Sequence, residues 1–297
     1  MHILVNTSLA ILITLTLLPL PSFSHEQVDA PGVPVIIPIY KNFSWWDYAD
    51  KVSASFGYPA GSIQKVPAVL ILHGGGGVDG RGAFYAVALQ EAGIATLEIT
   101  MFPPRKHPRS REGVNATMPH AAAALQWLAA QPNVDGKRLG VMGFSWGGEM
   151  SVLMSSELVQ DRMGKDVPKP IAFAPFYPTC SNLVRLVNDP RRPFYNAHKR
   201  MSATPMLIQV GTHDDYELSE HPCDALVAMW PLAAREHVTV RYIEGATHDF
   251  DTRRSESYHF YDESASGNGS VKVVPSPKDA AEARQTVVSF FITYLRP

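Results

Sequence analysis

In Gly143-Phe144-Ser145-Trp146-Gly147 a serine stands midway between two glycines, directly after the apolar run Leu139-Gly140-Val141-Met142. This G-x-S-x-G spacing suits a serine nucleophile on a sharp strand-to-helix turn. Side chains two residues either side would collide with neighbouring backbone, and the turn lifts the hydroxyl above the sheet edge. It also points the N–H of Trp146, at a helix start, toward the place where a carbonyl oxygen would gather charge. A serine hydroxyl is a poor nucleophile at neutral pH, so it needs a base, and the base needs an orienting carboxylate. Two later segments offer them. Gly211-Thr212-His213-Asp214-Asp215 follows the run Met206-Leu207-Ile208-Gln209-Val210, and Gly245-Ala246-Thr247-His248-Asp249-Phe250 follows Val238 to Ile243. Asp214 is the expected acid and His248 the expected base; Asp215 competes, because one residue of register would exchange the two aspartates. His213 sits on the wrong loop for the base. A metal site drawn from His213, Asp214, Asp215 and His248 lacks H-x-x-x-H or H-x-x-E-H spacing and ranks below the serine chemistry, so no metal and no cofactor is expected.

Such residues need elements to hold them. Short apolar runs bounded by glycine or proline predict strands over 68–72, 95–99, 139–142, 171–174, 206–210 and 238–243. Helix patterns over 81–92, 116–130, 150–158, 222–234 and 278–294 alternate with them. That alternation predicts an α/β fold with a mostly parallel sheet and helices on both faces. Residues 251–275 are polar and turn-rich, and read as one long surface loop before the final helix.

Close to the start of this pattern His73-Gly74-Gly75-Gly76-Gly77 ends a strand, leaving backbone N–H groups unshielded and suited to an oxyanion-binding loop, with His73 ordering it. The ordered set HGGGG, GFSWGG, GTHDDY and GATHDF resembles the dienelactone hydrolase family of α/β-hydrolase proteins, over roughly residues 66–297. The resemblance implies the α/β-hydrolase fold, with Ser145 as nucleophile, Asp214 as acid, His248 as base, and the N–H groups of Gly75 and Trp146 as oxyanion donors. The best-known members carry cysteine at the elbow, and Ser145 in its place points toward ester hydrolysis.

The chain has 297 residues, 45% hydrophobic and 18% charged, with 26 Lys plus Arg against 28 Asp plus Glu and a net charge of -2. This is globular composition without the positive field that draws nucleic acid or an anionic membrane, so neither partner is expected. Leu9 to Leu20 is an apolar run too short for the roughly 20 residues a spanning helix needs; Pro19 and Pro21 follow, and then Ser22-Phe23-Ser24. Residues 1–24 therefore read as a signal peptide cleaved after Ser24, with an uncleaved anchor as the alternative, leaving residues 25–297 as a single catalytic domain that is periplasmic or secreted. In that oxidising compartment Cys180 and Cys223, each near the same sheet edge, are expected to form a disulfide beside the acid loop. Pocket walls are expected from Trp45, Trp46, the segment from Met101 to Arg105, Phe176, Tyr177, Tyr216 and the 251–275 segment. Arg105 is a candidate for a substrate carboxylate, or a solvated surface residue.

The expected activity is serine hydrolysis of small carboxylic esters or lactones through an acyl-enzyme. A prolyl-oligopeptidase-like peptidase shares the order of these residues but resembles chains with a further large domain. A non-catalytic hydrolase-fold binding protein would fail to react with a fluorophosphonate while folded.

Overall fold

The computed structural model describes residues 32–39, 51–101 and 113–296. The segment 1–24, Trp45, Trp46 and Arg105 lie outside the described residues. Eight strands make one sheet in the order β1-β2-β4-β3-β5-β6-β7-β8. They are β1 (Val33–Pro38), β2 (Lys51–Gly57), β3 (Val66–Leu72), β4 (Ala95–Thr100), β5 (Val134–Phe144), β6 (Ala172–Phe176), β7 (Met206–Gly211) and β8 (Val238–Ile243). The first two pair antiparallel, as do β2 and β4, and every later pair is parallel. Parallel pairing needs a crossover between strands, which the intervening helices supply. They are α1 (Arg81–Glu91), α2 (Gly113–Ala129), α3 (Trp146–Met154), α4 (Glu157–Met163), α5 (Cys180–Asn188), α6 (Pro222–Ala228), α7 (Leu232–Arg235) and α8 (Pro277–Leu295).

The covered middle of the sheet explains its composition: every residue of β3 and of β6 is buried, and strands hidden on both faces read as continuous apolar runs. Helix α8 lays Ala280, Ala283, Val287, Phe291 and Leu295 against the sheet at helical spacing. Its approach depends on Gly140, where a Cβ would run into the Phe291 ring.

Three expectations need correction. The helix read over 150–158 begins four residues earlier, at Trp146, and stops at Met154, with α4 following as a separate helix. The pattern over 222–234 is interrupted between α6 and α7, where Pro231, lacking an N–H and held at φ -55, caps the second helix instead of continuing the first. The 251–275 segment is no plain loop. It contains the antiparallel hairpin β9 (Tyr258–Tyr261) and β10 (Ser270–Val273). Val271 and Val273 alternate with exposed residues and pack with Tyr216, Ala265, Tyr258 and Phe260 in a small cluster of their own. The polar composition had masked that two-residue alternation.

Because the parallel strands all point one way, the segments after β3, β5, β6 and β7 emerge at one edge of the sheet, where α/β folds gather their ligands.

Candidate active site

Ser145 lies between β5 and α3 with φ 49 and ψ -111, a conformation costly for a residue with a Cβ. Its N–H donates to the Phe176 carbonyl (3.0 Å), and its own carbonyl accepts from the Glu149 N–H (2.8 Å). The flanking glycines are steric requirements. A Cβ on Gly143 would meet the backbone of Gly147, and one on Gly147 would meet the carbonyls of Leu72 and His73.

The turn aims the hydroxyl at His248, whose Nε2 is 2.9 Å from Ser145 Oγ. On the other side of the ring, Nδ1 is 2.7 Å from Asp214 Oδ2. An ionised carboxylate only accepts, so Nδ1 carries the proton and Nε2 is left to accept from the serine. Asp214 Oδ1 accepts from the Tyr216 N–H (3.0 Å), which holds the carboxylate in line. Asp215 turns the opposite way: its Oδ2 accepts from the Lys272 N–H (2.8 Å) and its carbonyl from Ser266, tying the acid loop to the hairpin. The structure thus brings Ser145, His248 and Asp214 together and leaves Asp215 out.

His248 is 1% exposed and sits between the rings of Tyr216 (4.4 Å) and Tyr177 (4.9 Å). Burial disfavours its charged form, but the carboxylates of Asp214 and Asp249 outweigh that and hold its pKa above the ordinary 6.5, with Arg81 pulling the other way.

Arg81 and its partners were not legible in the sequence. Only 3% exposed at the start of α1, Arg81 pairs with Asp79 in the glycine-rich loop, with Asp249 beside the histidine and with the Tyr177 hydroxyl (2.9 Å). Tyr177 and Tyr85 in turn donate to the two oxygens of buried Asp251. Asp249 takes a left-handed backbone, φ 53, which places its carboxylate 3.9 Å from His248 Nε2. Burial works against the Asp249 charge, yet Arg81 holds its carboxyl below the usual range. The only available signal was the adjacency of Asp249 to His248, since Arg81 lies 168 residues away in the chain.

The glycine-rich loop closes with the Gly77 N–H donating to the Gly74 carbonyl (3.1 Å). His73 orders it: Nε2 accepts from the Met101 N–H (2.8 Å), so Nδ1 donates to the Gly74 carbonyl (2.7 Å). Burial pushes the His73 pKa down to about 4, so it stays neutral. Gly75 and Trp146 face the same cavity as Ser145 and His248, a space of about 850 Å³. The hairpin walls that cavity with Tyr258, Phe260 and Tyr261, and Tyr216 joins them. Phe176 and Tyr177 do not serve as walls: both are fully buried, their rings tilted against that of Phe144. Cys180, opening α5, is disulfide-bonded to Cys223 in α6, with Cα atoms 5.1 Å apart.

The sheet order, a nucleophile-type turn after β5, a carboxylate after β7 and a histidine after β8 define the α/β-hydrolase fold. Solved structures agree. A dienelactone hydrolase from Anabaena variabilis is similar at a TM-score of 0.58 and 17% identity, with 90% of this chain and 100% of that one covered. Esterase 2 from Thermogutta terrifontis, phosphorylated by paraoxon, has a TM-score of 0.62 at 16% identity, covering 91% and 97%. Est1E from Butyrivibrio proteoclasticus has a TM-score of 0.56 at 15% identity, covering 88% and 98%. No curated protein sequence matches the chain. The family model of the dienelactone hydrolases matches residues 52–295, and the chain belongs to that family, as a carboxylic ester hydrolase.

Proposed function

We propose that this protein hydrolyses small carboxylic esters or lactones by an acyl-enzyme route with Ser145 as nucleophile. The observation that carries the reading is the continuous hydrogen-bonded line from Ser145 Oγ through the His248 ring to Asp214. His248 Nε2 takes the hydroxyl proton as Ser145 attacks the carbonyl, and Asp214 stabilises the imidazolium that forms. The N–H groups of Gly75 and Trp146 receive the oxyanion, in a cavity where burial strengthens such contacts. His248 then gives its proton to the leaving alcohol, or to the ring oxygen of a lactone. Water, deprotonated by the same nitrogen, releases the acid. A relative of the same fold that paraoxon phosphorylates is what a serine nucleophile would give.

The test is turnover of p-nitrophenyl acetate or butyrate together with covalent labelling by a fluorophosphonate. A Ser145→Ala protein that keeps full activity would overturn the proposal. We also propose that residues 1–24 are removed on export and that 25–297 act as one catalytic domain. The disulfide fits an oxidising compartment, and among the described residues no helix is long and apolar enough to cross a membrane. N-terminal sequencing should find His25; an intact Met1 on protein recovered from outside the cytoplasm would sink the cleavage.

A further inference from the structure

Glu149 stands in the first turn of α3, four residues after Ser145, and plays no part in the proton transfers above. It is 5% exposed and lines the cavity with Thr179 and Asn182. Its Oε1 accepts from the Thr179 hydroxyl and from Asn182 Nδ2 (2.8 Å). Oε2 has no hydrogen bond among the described residues. It is not one of the sealed polar atoms either, so it opens on the cavity. Thr179 is held at φ 39, a left-handed conformation that a β-branched residue adopts only when its surroundings impose it. The hydroxyl that fixes the carboxyl is thus set in place at a conformational cost.

We propose that Glu149, Thr179 and Asn182 form a subsite that binds a hydroxyl group of the substrate, directing the enzyme to esters that carry a hydroxyl on the acyl or the alcohol half. The inference rests on the ester-hydrolase reading and deepens it. The chemistry of the free oxygen selects the ligand. Burial raises the Glu149 pKa to about 7, against the hydrogen bonds of Thr179 and Asn182; Glu217 nearby adds to the rise and His248 opposes it. Near neutrality Oε2 is therefore a donor in some molecules and an acceptor in others. A hydroxyl both donates and accepts, so it satisfies either form. A substrate carboxylate would be repelled by the ionised form.

The experiment compares kcat/KM within matched pairs on one enzyme preparation, so that the folded fraction cancels. For the acyl half the pairs are p-nitrophenyl 2- or 3-hydroxybutyrate against butyrate; for the alcohol half, ethylene glycol monobutyrate against ethyl butyrate. p-Nitrophenyl monosuccinate is the anionic control. The parent enzyme should favour the hydroxyl-bearing ester of one half by roughly tenfold, as one hydrogen bond made in a largely buried site allows. The preference should vanish in Glu149→Leu and shrink in Asn182→Ala, which loosens the carboxyl without removing it, and Glu149→Gln should keep part of it. Ratios near one in every parent pair, a preference unchanged in Glu149→Leu, or a preference for the succinate ester would each overturn the subsite. If no ester is turned over and a fluorophosphonate leaves Ser145 unlabelled, the hydrolase reading itself fails and the subsite falls with it.

Discussion

The turn that carries Ser145 and the loop that carries His248 place two halves of one hydrogen bond, by opposite means. Around Ser145 the constraints are local and made of backbone: two glycines, a carbonyl of the neighbouring strand and the first turn of α3. Around His248 they are side chains gathered from far along the chain, with Asp214 from the loop after β7, Arg81 from α1, Tyr177 just past β6, and Tyr216 backed by the hairpin. A backbone constraint tolerates no partial version, because a Cβ either fits or collides. A side-chain network can lose one member and shift. Lesions at the turn should therefore be all-or-none, and lesions around the histidine graded and visible in pH.

The largest expected effect is Ser145→Ala, which should lower kcat by about 10⁴- to 10⁶-fold in ester turnover while leaving the melting temperature near that of the parent. Asp214→Asn should cost about 10⁴-fold in kcat, whereas Asp215→Asn should stay within about threefold and loosen the hairpin instead. Equal losses in the two aspartate variants would erase the distinction between the acid and its neighbour. Gly147→Ala separates the two halves by stability: overpacking against the Leu72 and His73 carbonyls should cost about 3 kcal/mol or prevent folding, read from denaturant melts. Removing the bridge with Cys180→Ala and Cys223→Ala should lower unfolding free energy by about 2–4 kcal/mol, with kcat reduced by less than about tenfold. A kcat that collapsed without the bridge would show that the acid loop relies on it for geometry as well as stability.

The smallest effects are shifts in pH profile, and they test the network most directly. In the proposed route His248 must be neutral to act as the base, and its pKa is held above 6.5, so the rise of kcat/KM with pH should have its midpoint above that value. Asp249→Asn removes a charge that favours the protonated ring and should move the midpoint down. Arg81→Met removes the opposing charge and should move it up. Stability carries the other sign: the raised pKa favours the folded state below the ordinary histidine value, and this gain disappears as pH rises through the folded-state value. An Arg81→Met midpoint that did not move, in a folded protein, would reduce Arg81 to packing.

The same division describes what could be read without coordinates. The residues 143–147 carry their geometry in their own types, since small residues at fixed spacing are the only ones that fit a sharp strand-to-helix turn. The alternation of apolar runs and helix patterns likewise specified the six parallel strands, because a strand covered on both faces must be apolar throughout, whereas the antiparallel β1 and β2, only partly buried, went unread. Asp214 and Asp215 could not be separated in that way. Adjacent residues of one type differ only in the direction each side chain faces, and that direction is set by Tyr216, Ser266 and Lys272. The hairpin was hidden because four-residue strands in a polar segment owe their existence to the small cluster they form with Tyr216. Arg81, Asp249 and Glu149 were invisible for a related reason: each looks like a surface charge until the fold buries it against partners distant in sequence. By itself the sequence determined the chemistry available, a serine at a strand-to-helix turn with an acid and a histidine to follow. Tertiary structure alone decided which aspartate meets the histidine, which second carboxylate and arginine adjust its charge, and which buried acid opens on the cavity, because those outcomes depend on packing between segments and on the loss of water around charged groups.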